Sequence, residues 1–176
     1  MSNELPIEEE IWKPAIKFGV VIPNCFVSNR GRLRNASGKL LKIFNRPAGD
    51  GRGSGRAAQS VFSMKIPKGL FKHRQDEGYG FVKVRFVVHR LVIETFKSID
   101  ENPPIPKDEW DELPESAKAI IRSCCLVDHI DNNPFNNTID NLRWCTPLEN
   151  NSVNKKKLFG NLNTNKQFAS LEDFFL

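Results

Sequence analysis

Three patterns in the sequence predict an α+β protein. Apolar residues alternate with polar ones in short runs of the first ninety residues, which is typical of strands. From about Val88 the apolar residues recur at helical spacing. Residues 126–150 then follow the order strand, loop, strand and helix. We therefore expect a small antiparallel β region followed by a compact ββα unit.

The first ninety residues are predicted to form short strands joined by turns. Residues 20–22 and 25–27 are expected strands, and the segment SNRGRLRN turns through Gly31 into a basic strand. The segment PAGDGRGSGRAAQS that begins at Pro47 lacks the GxxxxGK[ST] pattern of a nucleotide-binding loop, so we interpret it as a flexible loop. Residues 81–86 complete this part as another strand.

Positive charge is concentrated in the same part of the chain. Residues 13–90 contain seventeen Lys and Arg against three acids, a local charge of +14 within a net charge of +5. Such a surface favours a polyanion, and nucleic acid is the commonest polyanionic partner, although solvated lysine faces can give a milder excess. On a strand, Arg30, Arg32 and Arg34 would share one face, so this basic strand is the first candidate for DNA contact.

Other basic residues lie where phosphate contacts are expected. In full, the predicted DNA-binding residues are Arg30, Arg32, Arg34, Arg52, Arg56, Arg143, Lys155, Lys156 and Lys157. An outward-facing strand position would explain Arg143 equally well.

Several classes of protein are disfavoured. No run of eighteen apolar residues is present, and the acidic start MSNELPIEEE does not resemble a secretory signal, so we expect a soluble cytoplasmic protein with no membrane partner. The four cysteines form no CxxC pair and are interpreted as buried thiols.

Residues 97–123 form an acidic, proline-marked insertion that ends in a predicted helix from Pro114 or Glu115 to about Arg122.

The chemistry is concentrated in LVDHIDNNPFNNTIDNLRWCTPLENN, residues 126–151. A strand delivers Asp128 and His129 at its end, pointing to opposite faces. The TPLE segment predicts a helix capped by Thr146, which puts Asn150 in its first turn. Asp128 and Asn150 would supply oxygen ligands suited to a hard divalent cation, and His129 would be free to take a proton from water.

These residues resemble the HNH nucleases, especially phage-type homing endonucleases. VDHIDNNPFNNTIDNLRWCTPLENN matches their site, VHRLVIETF matches the helix before it, and EIWKPAIKFGVVIPNCFVSNRGRLRN resembles a small DNA-binding module that accompanies them. The resemblance implies a ββα-metal fold in an H-N-N version, with His129 as general base and a single Mg²⁺ or Mn²⁺ held by Asp128 and Asn150. It also implies that Asn141 holds the loop and so orients His129.

The resulting hypothesis is a metal-dependent, homing-type endonuclease acting on specific double-stranded DNA. Its expected organisation is a basic DNA-binding region (1–90), a helix and acidic insertion (91–125), the catalytic motif (126–160) and a C-terminal tail (161–176). A non-catalytic DNA-binding regulator and an HNH restriction or defence nuclease remain alternatives. We expect a monomer or homodimer, located in the host cytoplasm if phage-encoded. The terminal SLEDFFL is interpreted as a sliding-clamp contact, or as a segment that packs back on the domain or pairs two copies of the chain.

Overall fold

The structure is a computed structural model that describes residues 9–49, 57–71 and 79–150. Within these residues the strands are β1 (Trp12–Lys17), β2 (Val20–Ser28), β3 (Leu33–Arg34), β4 (Phe44–Arg46), β5 (Gln59–Pro67), β6 (Phe81–Val87), β7 (Leu126–His129) and β8 (Leu142–Cys145). The helices are α1 (Val88–Phe96), α2 (Lys107–Glu112), α3 (Glu115–Cys124) and α4 (Pro147–Asn150), with a 3-10 turn at Ile139–Asn141.

The first sheet has the antiparallel order β1-β2-β3. The two short strands predicted at residues 20–22 and 25–27 are one continuous strand, β2. The predicted break between them takes the form of a bulge, because Pro14 pairs with Phe26 while Ile16 pairs with Val21. Asn24 lies within this bulge at φ +56°, a left-handed conformation that asparagine adopts at low cost.

The second sheet has the antiparallel order β4-β5-β6, and β6 runs directly into α1. The rings of Phe62 and Phe86 stack between β5 and β6 with centroids 5.4 Å apart. The chain switches to a helix at Val88, as the change of apolar spacing predicts.

Helix α1 is the centre of the main hydrophobic core. Its buried residues are Val88, Leu91, Val92 and Ile93. They pack in one cluster with buried residues of both N-terminal sheets and of the 126–150 unit, including Val27, Phe62, Val127 and Leu142. Burial of several such side chains, each stabilising by about 1.5–3 kcal/mol, fixes these elements relative to one another.

The insertion between α1 and β7 has a second, smaller core. Ile105, Trp110, Ile121 and Cys125 form it, and Trp110 is 1% exposed. The predicted helix is α3, which begins after Pro114 and extends two residues beyond Arg122. Trp144 packs against both cores and donates a hydrogen bond from Nε1 to the Lys97 carbonyl at 2.8 Å. The insertion is therefore anchored to β8.

Residues 126–150 form the predicted strand, loop, strand and helix. β7 and β8 pair antiparallel from Leu126 opposite Cys145 to His129 opposite Leu142. α4 packs against β7. All four cysteines are free thiols, and none of the described helices is long and apolar enough to cross a membrane.

Candidate active site

The β7–β8 hairpin separates the two polar residues at the end of β7. Asp128 is paired with Arg143 across the hairpin, whereas His129 is paired with Leu142. Successive residues of a strand face opposite ways, so the carboxylate and the imidazole occupy different sides of the hairpin. Both side chains are largely buried, with 6% of Asp128 and 9% of His129 exposed.

The carboxylate of Asp128 is balanced by the guanidinium of Arg143. Asp128 Oδ2 accepts hydrogen bonds from Arg143 Nε at 3.1 Å and from Nη2 at 2.9 Å. A buried carboxylate is costly unless a cation or several donors compensate its charge. This corner of the hairpin therefore already holds an anion together with a counter-cation.

The imidazole of His129 lies between an asparagine and a second histidine. Its Nε2 is 3.4 Å from Asn137 Oδ1. The ring of His89, on α1, meets the His129 ring edge to face with centroids 5.0 Å apart. Burial, followed by the proximity of His129, lowers the pKa of His89 to about 3. His89 is therefore neutral at physiological pH, and its Nδ1 is buried without a hydrogen-bond partner in the described part of the chain.

The loop between the strands is held by asparagine side chains. Asn141 Nδ2 donates to Asp131 Oδ1 at 2.9 Å and to the Asn136 carbonyl at 2.8 Å, and its Oδ1 accepts from the Asp131 amide at 3.0 Å. Asn132 adopts φ +59°, a left-handed conformation that asparagine tolerates at low cost. The hydrogen bonds from Asn136 and the Asn133 backbone lower the pKa of the Asp131 carboxyl.

Helix α4 begins with the predicted capping box. The Thr146 amide donates to Glu149 Oε2 at 2.9 Å, and the Glu149 amide donates to Thr146 Oγ1 at 3.2 Å. This reciprocal pair fixes the start of the helix. Asn150 closes α4 at an exposed position, on the helix that packs against β7.

The residues present suit a hard divalent cation that keeps part of its water shell. In the described ranges no three His, Cys, Asp or Glu side chains cluster as a metal site, so a thiolate or multi-histidine centre does not fit there. Asp128 has a buried anionic oxygen that pairs with the Arg143 guanidinium, and Asn150 carries an amide oxygen on the helix that packs against β7. Few protein oxygens, with water and phosphate completing the shell, are typical of Mg²⁺ sites.

Comparison with known proteins relates this unit to a family. Residues 86–152 match the family model described as HNH endonuclease. This segment, which is less than half of the chain, is similar to HNH endonucleases, and residues 86–152 are called the HNH domain below. The predicted fold class, a ββα core of the HNH type preceded by antiparallel β structure, is confirmed.

Two known proteins are similar to this chain beyond the HNH domain, and each is matched over only part of its length. The HNH endonuclease L245 of Acanthamoeba polyphaga mimivirus is 32% identical over an alignment of 97 residues. The alignment covers 51% of this chain and 23% of that protein. A solved structure titled "DNA binding and cleavage by the HNH homing endonuclease I-HmuI" is 24% identical and covers 87% of this chain and 61% of its own, with a TM-score of 0.46. The chain thus spans about a quarter of the curated relative's length.

The predicted arginine face is wrong in its geometry. Arg30 lies in the turn closed by the hydrogen bond from the Gly31 amide to the Ser28 carbonyl, and Gly31 at φ +74° interrupts the strand. β3 contains only Leu33 and Arg34, so the three arginines do not alternate along one strand. A glycine in the left-handed conformation reverses the chain direction, which removes the period-two alternation.

Two of these arginines instead cover Trp12 beside the HNH domain. The guanidinium carbon of Arg34 lies 4.5 Å from the Trp12 ring centroid and that of Arg32 lies 5.8 Å from it. Arg32 also forms a bidentate ion pair with Glu10.

The remaining predicted basic contacts after Arg34, apart from Arg143, lie outside the described residues. They are Arg52, Arg56, Lys155, Lys156 and Lys157, and the SLEDFFL segment lies outside them as well.

Neither Asn137 nor His89 is among the site residues predicted from the sequence. Both contact His129, from positions 8 and 40 residues away in the chain. The signal for His89 is its position in VHRLVIETF at the start of α1, immediately after β6. No local pattern distinguishes Asn137 from the neighbouring loop asparagines.

Proposed function

We propose that this protein is a metal-dependent DNA endonuclease of the homing type, which hydrolyses phosphodiester bonds in specific duplex DNA. The observation that carries the proposal is the HNH domain in which Asp128 and His129 are consecutive residues at the end of β7. The +14 charge of residues 13–90 supports a DNA partner. The homing type is supported by the motif resemblance in the sequence.

In this proposal His129 is the general base. Its imidazole is held against Asn137 and is within the HNH domain, and a neutral imidazole can take the proton of a water molecule that attacks phosphorus. Asn141 acts indirectly: its three hydrogen bonds hold the loop that follows His129, so the direction of the ring is set before DNA binds.

Asp128 and Asn150 would hold one Mg²⁺ or Mn²⁺. When bound, the cation supplies positive charge at the scissile phosphate and at the leaving 3′ oxygen. Arg143 competes for the same carboxylate, since it bonds Asp128 Oδ2. We propose that Arg143 contacts DNA phosphate once Asp128 binds the cation, because a guanidinium suits phosphate as well as carboxylate.

Contacts with DNA are proposed for the basic N-terminal region and for the segment after α4. Arg30 is exposed in its turn, whereas Arg32 and Arg34 cover Trp12. Arg52, Arg56 and Lys155–Lys157 are proposed phosphate contacts from their place in the sequence. Such contacts predict DNA binding that weakens steeply as salt concentration rises.

The proposal is tested by cleavage of supercoiled plasmid carrying phage or host genomic fragments, with Mg²⁺, Mn²⁺ or EDTA. We expect nicked or linear product with either cation, none with EDTA and none from His129→Ala. Asn133→Ala is the matched control, because Asn133 is an exposed residue of the same loop. It should cut like the wild type.

The contrary outcomes are distinct. Retarded fragments without any cutting under either cation would favour a non-catalytic DNA-binding regulator. Cutting that persists in His129→Ala would refute the assigned base. A short and strict recognition site would favour a restriction or defence nuclease over the homing type.

A further inference from the structure

A chain of buried polar contacts leads from the second sheet to His129. Ser60 Oγ, on β5, donates to Asn45 Oδ1 at 2.8 Å and accepts from Asn137 Nδ2 at 3.0 Å. Asn137 Oδ1 then lies 3.4 Å from His129 Nε2. Ser60, Asn137 and His129 are all less than 10% exposed. The N-terminal β structure thereby reaches the imidazole of the HNH domain through one asparagine.

The donors and acceptors along this chain fix the orientation of the Asn137 amide. Its NH₂ group donates to Ser60 Oγ and, at 3.0 Å, to the Phe135 carbonyl, which uses both of its hydrogens. The oxygen therefore faces His129, and it can only accept a hydrogen bond. A hydrogen bond across this contact requires a proton on His129 Nε2, and in the neutral ring Nδ1 is then the nitrogen with a lone pair.

A tight turn of the first sheet holds the backbone at Asn137. A Cβ atom placed on Gly31 would lie 2.8 Å from both Asn137 Cβ and the Asn137 carbonyl oxygen. The adjacent Ile139 amide donates to the Asn29 carbonyl at 2.8 Å. Only glycine allows this close approach, and φ +74° at Gly31 independently favours glycine. The turn that carries the exposed Arg30 is thus in contact with the loop that supports His129.

We propose that Asn137 is a positioning residue for His129. It holds the imidazole in the Nε2–H tautomer, so that Nδ1 is the atom that takes the proton from water, and it is itself held by Ser60 and by the turn Ser28–Gly31. The proposal rests on the proposed nuclease function for its catalytic consequence. It does not need that function for the tautomer, which is a property of the protein without metal or DNA.

The consequence is a direct link between the basic N-terminal region and the catalytic ring. Displacement of the turn by DNA would act on Asn137 and so on His129. Misplacement of a catalytic group by about 1 Å costs about 10²-fold in rate. Loss of the Asn137 acceptor should therefore reduce kcat by about 10- to 100-fold and leave KM for DNA unchanged, because Asn137 is only 7% exposed and offers DNA almost no surface to bind.

The test uses the full chain and two readouts. Long-range ¹H–¹⁵N correlation spectra distinguish the two neutral tautomers of each histidine, and the chain has three histidines, so His129→Ala assigns the signal. Spectra are recorded without metal at a pH where the ring is neutral. Cleavage is measured separately on plasmid with Mg²⁺.

The informative variants remove the acceptor or its support. Asn137→Leu keeps the size but removes the acceptor, and Ser60→Ala removes the hydroxyl that accepts from Asn137 Nδ2, with little change of volume. We expect the Nε2–H tautomer in the wild type, and a mixture of tautomers with reduced kcat in Asn137→Leu. Ser60→Ala should show a smaller change in the same direction, and it provides the answer if Asn137→Leu does not fold.

An Nδ1–H tautomer in the wild type would overturn the proposal. So would a tautomer unchanged in both Asn137→Leu and Ser60→Ala, or a wild-type kcat in Asn137→Leu. A wild type that shows the Asn137-dependent Nε2–H tautomer but cuts no DNA would refute the nuclease function instead and would leave the ring assignment standing.

Discussion

The loop of the HNH domain should depend for stability on the single side chain of Asn141. Replacement by alanine removes two donated hydrogen bonds, to Asp131 Oδ1 and to the Asn136 carbonyl, and one accepted from the Asp131 amide. Asn141 is 8% exposed, so its own amide cannot exchange these partners for water while the protein is folded. A single substitution at Asn141 therefore removes all three of these hydrogen bonds from the loop.

The magnitude follows from the three bonds and from where their partners lie. A net value of about 1 kcal/mol for each gives about 3 kcal/mol. Asp131 is exposed, so water replaces part of the loss at its carboxylate and amide. We therefore expect Asn141→Ala to lower the free energy of unfolding by about 2 kcal/mol, which corresponds to a decrease in Tm of about 4–8 °C for a domain of this size.

Urea denaturation followed by circular dichroism measures this difference directly. Asn133→Ala is the control, because Asn133 is exposed and its side chain accepts one hydrogen bond, from the Phe135 amide at 3.1 Å. It should cost less than about 0.5 kcal/mol. A loss for Asn141→Ala no larger than that of the control would refute the reasoning that the loop is held by the Asn141 amide.

Three further effects follow from other contacts. His89 stays neutral in the fold because burial lowers its pKa to about 3 from 6.5, so below pH 6.5 the unfolded chain binds a proton that the fold excludes. The free energy of unfolding, measured by urea titration at several pH values, should fall by up to about 1.4 kcal/mol for each unit by which the pH is lowered between 6.5 and about 3. The variant His89→Gln should reduce that slope. Thr146→Ala should cost about 1 kcal/mol in thermal denaturation, whereas Glu149→Gln should cost much less, because glutamine also completes a capping box. Trp110→Ala should destabilise the insertion by about 3–5 kcal/mol, seen as lost amide protection in α2 and α3 by hydrogen exchange, with β7 protected as before.

The parts of the fold that were predicted from the sequence depend on local signals. The capping box at Thr146 and the change of apolar spacing at Val88 each act over one or two helical turns, and both helices begin where these signals lie. The left-handed Asn132 also follows from the preference of one residue. Asp128 and His129 are adjacent in the chain, so their opposite directions follow from strand geometry alone.

The parts that were missed depend on contacts between distant residues. Asn137 and Ser60 are separated by 77 positions, and no spacing rule connects a loop amide with a strand hydroxyl. The arginine face failed for a different reason: the predicted turn at Gly31 places Arg30 before β3 instead of on it, and the close contact of Gly31 with Asn137 holds that turn. In both cases tertiary packing decided between local alternatives of similar energy.

The insertion leaves and rejoins the HNH domain at two anchored points. Lys97 at its start accepts the hydrogen bond from Trp144 Nε1, and the Cys125 carbonyl at its end accepts one from Arg90 Nη2 at 3.4 Å. The segment between them has its own small core. Because loop closure entropy grows only slowly with length, the chain between these points can be lengthened at small entropic cost when its small core is kept. The site before β7 is thus suited to carrying a grafted sensor or affinity module while Asp128 and His129 keep their positions.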